Sequence, residues 1–75
     1  MKLVELLEKN KDITVRLYQL EGGMLVPSIQ GKYDFMIKKA GERLELEVVV
    51  INDFEDLILC CPKSDYEILK KEGRL

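Results

Sequence analysis

Arg43-Leu-Glu-Leu-Glu-Val-Val-Val-Ile51 is the stretch on which the reading of this chain turns. From Arg43 to Glu47 charged and apolar residues alternate strictly, the pattern of a strand with one wet and one dry face. From Val48 to Ile51 every residue is apolar and β-branched, as in a strand covered on both faces. The pattern predicts a strand over 43–51 whose second face is covered for only part of its length.

The neighbouring segments supply partners for it. Tyr33, Phe35 and Ile37 alternate with Asp34, Met36 and Lys38, which predicts a strand over 33–38. A turn at Ala40-Gly41 then sets Ile37 opposite Leu44, Phe35 opposite Leu46 and Tyr33 opposite Val48, all apolar pairs. The same register opposes Asp34 to Glu47 and Lys38 to Arg43, like charges that cost a little. Upstream, Ile13, Val15 and Leu17 alternate with Thr14, Arg16 and Tyr18 in a strand over 13–20. Gly22-Gly23 forms a tight turn into a strand over 24–30. Pro27 inside that strand cannot donate to a ladder, so the strand belongs at an edge or carries a bulge. Downstream, Asn52 to Asp56 is an acidic loop, and Leu57 to Cys61, apolar on both faces, is a strand either central in the sheet or covered on its second face, stopped by Pro62.

Two short helices flank these strands. Leu3, Leu6 and Leu7 share one side of residues 2–10, with Glu5, Glu8 and Lys9 on the other. After Pro62, Ser64 and Glu67 have the spacing of a capping box, and Gly73 is placed as the residue just past a helix end. The expectation is one α+β domain over residues 1–75: an antiparallel meander of about five strands, curled or closed into a small barrel, between short terminal helices. Val49, Ile51, Ile58 and Cys60 read as one apolar face, to be covered by a terminal helix or by another chain.

Composition narrows the function. With 75 residues, 47% of them hydrophobic and 35% charged, the chain is globular but near the lower limit for a self-sufficient core, so a homodimer and a monomer are both open. The net charge of −2 argues against broad, non-specific nucleic-acid binding. No histidine is present, so the commonest general base and metal ligand are missing. Cys60 and Cys61 are adjacent, point to opposite faces of a strand, and read as small apolar core residues. No metal, no cofactor and no catalytic residue is expected. Nothing near Met1 resembles a signal peptide and no stretch reaches transmembrane length, so a cytoplasmic location with no membrane partner is expected.

Two constellations remain. Asp53, Phe54, Glu55 and Asp56, with Glu45 and Glu47, make an acidic surface with one aromatic anchor, suited to steering a basic protein partner. Arg16, Tyr18, Lys32, Lys38, Lys39 and Arg43 are basic residues with an aromatic among them, suited to nucleic acid but mixed with acidic neighbours. Gly22-x-Met24-x-Val26-Pro27, followed by Ile37-Lys-Lys-Ala-Gly-Glu-Arg-Leu-Glu-Leu46, resembles the AbrB/SpoVT swapped-hairpin family over residues 13–61. That resemblance implies a dimeric DNA-binding regulator or antitoxin. Gly23 stands where that family carries a basic residue, and the segment from Pro27 to Gly41 is longer than its pattern. The principal expectation is a small non-enzymatic protein, an adaptor, an inhibitor or a regulator encoded by a mobile element, acting through a protein–protein surface.

Overall fold

The structure, a computed structural model, describes residues 1–74. Its elements are α1 (Leu3–Lys9), β1 (Thr14–Glu21), β2 (Met24–Gly31), α2 (Tyr33–Lys39), a 3-10 turn over Gly41–Glu45, β3 (Val48–Asp53), β4 (Leu57–Pro62) and α3 (Lys63–Lys71). The sheet order is β2-β1-β4-β3. Two antiparallel hairpins, β1–β2 and β3–β4, are joined by a parallel pairing of β1 with β4. The fold is α+β, but the expected five-stranded antiparallel meander is replaced by an open, mixed sheet of four strands with three helices.

The difference lies in residues 33–47. Tyr33–Lys39 is a helix, and it places Met36 and Ala40 in the core with Tyr33 packed beside them, while Phe35 is exposed. Tyr33, Met36, Ile37 and Ala40 follow helical spacing as faithfully as Tyr33, Phe35 and Ile37 follow strand spacing. Over so short a run both apolar sets are present, and tertiary packing chooses between them. Ala40-Gly41 is therefore a helix end, not a hairpin turn. The Ala40 N–H donates to the Met36 carbonyl (2.9 Å), and Gly41 takes the left-handed φ of 57°. The expected pairs Ile37/Leu44, Phe35/Leu46 and Tyr33/Val48 do not form. Of the stretch Arg43–Ile51, only Val48–Ile51 is strand, and it continues to Asp53.

Arg43 fixes this segment to the sheet. Its guanidinium donates to the carbonyls of Ala40 (3.0 Å) and Lys39 (3.2 Å), satisfying the end of α2, and to the Ser28 hydroxyl (2.9 Å). Ser28 is the extra residue of a bulge: Leu17 pairs with Ile29 and Tyr18 with Pro27. The expected edge position and irregularity of the Pro27 strand are both present.

One face of the sheet carries the core. Val15 and Leu17 of β1 and Ile58 and Cys60 of β4 pack under Leu3, Leu6 and Leu7 of α1 and Met36 and Ala40 of α2. Each fully buried leucine contributes roughly 1.5–3 kcal/mol. Leu44 and Leu46, flanking the end of the 3-10 turn, close the side of this layer. The face expected to combine Val49, Ile51, Ile58 and Cys60 is split. Val49 pairs with Cys61 and Val50 with Cys60, so Val49 lies on the face opposite Ile58 and Cys60.

Helix α3 follows β4 directly. The Ser64–Glu67 capping box is not formed: the helix starts at Lys63 after Pro62, with no side-chain cap. Its Asp65 carboxylate is used elsewhere, accepting the Leu20 N–H at 2.9 Å. The parallel pairing of β1 with β4 ends at Leu17–Cys60, so Asp65 serves part of β1 that has run past its neighbour. At the other end, Gly73 has φ 73°, its N–H reaches the Lys70 carbonyl (3.0 Å) and the Arg74 N–H reaches Leu69 (2.8 Å), the Schellman closure that Gly73 foreshadows. The Arg74 guanidinium also bonds the Gly23 carbonyl in the β1–β2 turn.

Asp65→Ala removes the acceptor for a part-buried backbone N–H and is expected to lower stability by about 1–2 kcal/mol, while Asp65→Asn retains most of it. Urea denaturation of the two variants beside the wild type checks this; equal losses for both would show that the carboxamide oxygen cannot replace the carboxylate.

Candidate functional site

The four strands have two faces, and only one is under the α1–α2 layer. On the other face lie Thr14, Arg16 and Tyr18 of β1 and Leu57, Leu59 and Cys61 of β4, the residues alternating with those in the core. Val49 joins them from β3 opposite Cys61, and Asn52 opposite Leu59, with Ile51 as the extra residue of a second bulge. Gln30 and Pro27 of β2 flank Arg16 and Tyr18. Cys61 is fully buried, in the region where α3 returns, and Asp65 is close enough to act on its thiol. Beyond that end, among the described residues, no helix is packed on this face. Leu57, Leu59, Ile51, Tyr18 and Arg16 are all partly exposed there.

The face has a polar half and an apolar half. In the polar half the Arg16 Nε donates to the Gln30 side-chain oxygen (2.6 Å) and Nη1 to the Tyr18 hydroxyl (3.2 Å). Among the described residues no carboxylate lies within ion-pair distance of Arg16. In the apolar half lie Leu57 and Leu59 of β4, with the bulge residue Ile51 of β3 next to the level of Leu59. Beyond Leu57 the chain turns through Phe54–Asp56, closed by the Phe54 N–H on the Leu57 carbonyl at 2.8 Å. Phe54 stands 48% exposed among Asp53, Glu55 and Asp56.

The acidic surface expected from the sequence is not continuous. Asp53, Phe54, Glu55 and Asp56 sit at one end of β3, and Glu45 and Glu47 precede its other end, about 20 Å away at the rise of a strand. Glu47 accepts a hydrogen bond from the Met1 ammonium (2.9 Å), which holds its carboxyl below the usual range. Glu45 pairs with Lys2 at 2.9 Å and raises that ammonium above its ordinary value. Both pairs are solvent-exposed and fasten the first residues of the chain to the start of β3; the Lys2–Glu47 bridge and the Val48 N–H on the Met1 carbonyl (2.8 Å) complete the strap.

The basic residues are likewise dispersed. Arg43 spends its donors on α2 and Ser28, Lys38 and Lys39 close α2 on the layer above the sheet, and Arg16 lies beneath on the uncovered face. An open groove of about 580 Å³ runs between the start of β3 and α3, floored by Leu46, Pro62 and Ile68 and rimmed by charges of both signs. Among the described residues no three His, Cys, Asp or Glu side chains gather as metal ligands. No helix among them is long and apolar enough to cross a membrane.

No protein family, curated protein or solved structure matches the chain. The likeness of residues 13–61 to the AbrB/SpoVT family therefore rests on its short motifs alone. In this fold those motifs have local work to do: Gly22 and Gly23 turn the first hairpin with φ 58° and 81°, and Gly41 ends α2.

The sequence contained the uncovered face only in part. Tyr18, Leu57 and Leu59 have no place on it in the meander register, which sets the strands in a different order. The turn between β3 and β4 sets Asp53 opposite Ile58 and alone would carry Val50 opposite Cys61; the bulge at Ile51, which no residue pattern marks, shifts that pairing to Val49.

Cys60 and Cys61 are both core residues, as their composition suggested. Burial pushes the Cys60 thiol up to about 12, with Cys61 adding to it. Burial pushes Cys61 up to about 11, with the negative charge of Asp65 adding to it. Neither thiol ionises near neutral pH, so both are expected to resist an aromatic disulfide reagent until the chain unfolds. In the unfolded chain thiols release their protons near 9, whereas the folded chain keeps them. Stability is thus unaffected by these groups below that pH and falls as pH rises above it. Urea midpoints at about pH 8 and about pH 10 should show a decline that is smaller in Cys61→Ala; an equal decline would assign it to other groups.

Proposed function

We propose that this chain is a small non-enzymatic binding protein and that it binds another protein through the uncovered face of its sheet. The observation that carries this reading is that Ile58 and Cys60 lie in the core with α1 and α2, so Leu57 and Leu59, which alternate with them along β4, face away from that layer. An apolar sheet face left without a covering layer is the usual sign of a contact surface. The Phe54 loop borders it and offers an aromatic anchor among charges.

The same geometry gives little support to catalysis. The thiols are buried and protonated, and the acidic residues lie on an exposed turn or in exposed ion pairs. A placed acid and base in a sheltered cleft is what acid–base chemistry requires.

Leu59→Lys puts a charge in the middle of the face, and Phe54→Ala removes the anchor at an exposed position where folding is not at stake. Tagged wild-type protein, recovered from its host under mild conditions, is expected to retain a protein that both variants lose, while their far-ultraviolet dichroism stays that of the wild type. Retention of the same protein by a folded Leu59→Lys variant would refute this surface.

A further inference from the structure

Two features of the open face each lack a counterpart within the chain. Arg16 is held between Gln30 and Tyr18 with part of its fork unused and its charge unmatched by any described carboxylate. A guanidinium so placed on a partly covered face favours a carboxylate partner. Asp53, Glu55 and Asp56, with the exposed ring of Phe54, form an acidic–aromatic turn with no cation paired to it among the described residues. Within one molecule the two do not meet: Arg16 is drawn toward β2, while the turn projects beyond the β3–β4 end of the sheet.

From these complementary parts we propose that the occupant of the open face is a second copy of this chain, packed face to face about a two-fold axis. This rests on the reading of that face as a contact surface. The axis runs across the strands between the levels of Leu57 and Leu59. It stacks Leu57 and Leu59 on the same pair of the partner and brings each Asp53–Asp56 turn to the level of the partner's Arg16. Arg16 lies level with Leu59 in the sheet, and the turn begins one residue before Leu57. The offset along the strand is therefore about 10–15 Å, which an axis midway between them reverses. Facing sheets lie about 10 Å apart, within reach of an arginine and an acidic side chain extended toward each other. The contact is isologous, so each copy contributes one cation and one acidic turn, and the assembly closes at two. Phe54 covers the partner's apolar half, adding core that a chain this small lacks.

Sedimentation equilibrium at low salt is expected to give twice the 8.7 kDa chain mass. Arg16→Glu, and separately the turn variant Glu55→Lys/Asp56→Lys, are each expected to dissociate at a concentration about ten-fold higher or more. Mixed in equal amounts, the two variants regain wild-type association, because both charge contacts in the mixed pair are again opposite in sign. All the substituted positions are at least partly exposed, and dichroism confirms folding. A wild-type monomer, or variants that neither weaken alone nor recover when mixed, overturns the second copy. That failure is distinct from failure of the surface itself: a monomer whose captured partner is still lost in Leu59→Lys keeps the surface and changes its occupant. A dimer indifferent to Leu59→Lys removes both.

Discussion

The parallel pairing of β1 with β4 is the constraint on which the rest of the molecule depends. Each of these strands has its own antiparallel hairpin partner, so β2 and β3 are driven to opposite edges of the sheet. The chain must then cross from one edge to the other between Gly31 and Val48. A crossing of that length is a helical connection laid on one face. Residues 33–45 are that crossing, and α1 fills the space beside it. Having one connection to spend, the chain covers one face. The other receives only α3, and only where β1 outruns β4. The open face follows from this topology.

Much of this was legible. The leucine spacing of α1, the Gly22-Gly23 turn, the edge position of the Pro27 strand, the apolar centre strand and the Gly73 helix end each have a local cause that sequence displays. Residues 33–47 do not. Over seven residues the strand set Tyr33, Phe35 and Ile37 and the helix set Tyr33, Met36 and Ile37 are both apolar, and the alternation of Leu44 and Leu46 serves an extended segment leaving a 3-10 turn as well as it serves a strand. One warning was present. The meander register opposed Asp34 to Glu47 and Lys38 to Arg43, and the true fold has neither pair. Arg43 instead meets three oxygen acceptors.

The surface residues divide along the same line. Phe54 and its acidic neighbours are exposed as a turn between strands must be, and that much is local. The separation of Glu45 and Glu47 from them follows from the length of β3, and their ion pairs from the position of Met1 and Lys2 beside it. Leu57 and Leu59 acquire their place only once the parallel strand order is known. A single sequence carries no direct mark of that order, because the contact joins residues some forty positions apart.

The treatment of the sheet's two borders has its own consequence. β2 is interrupted by Pro27 and the Ser28 bulge. β3 is strapped at its start by Met1 and Lys2, kinked at Ile51, and has the Asp53 N–H turned onto its own neighbour Asn52 at 2.9 Å. Neither border offers the long, regular row of free donors and acceptors that strand addition needs. A run as β-prone as Val48–Ile51 would otherwise be a template for stacking chain upon chain. Here the proline and bulge on one border, and the strap and bulge on the other, both work against the addition of further strands.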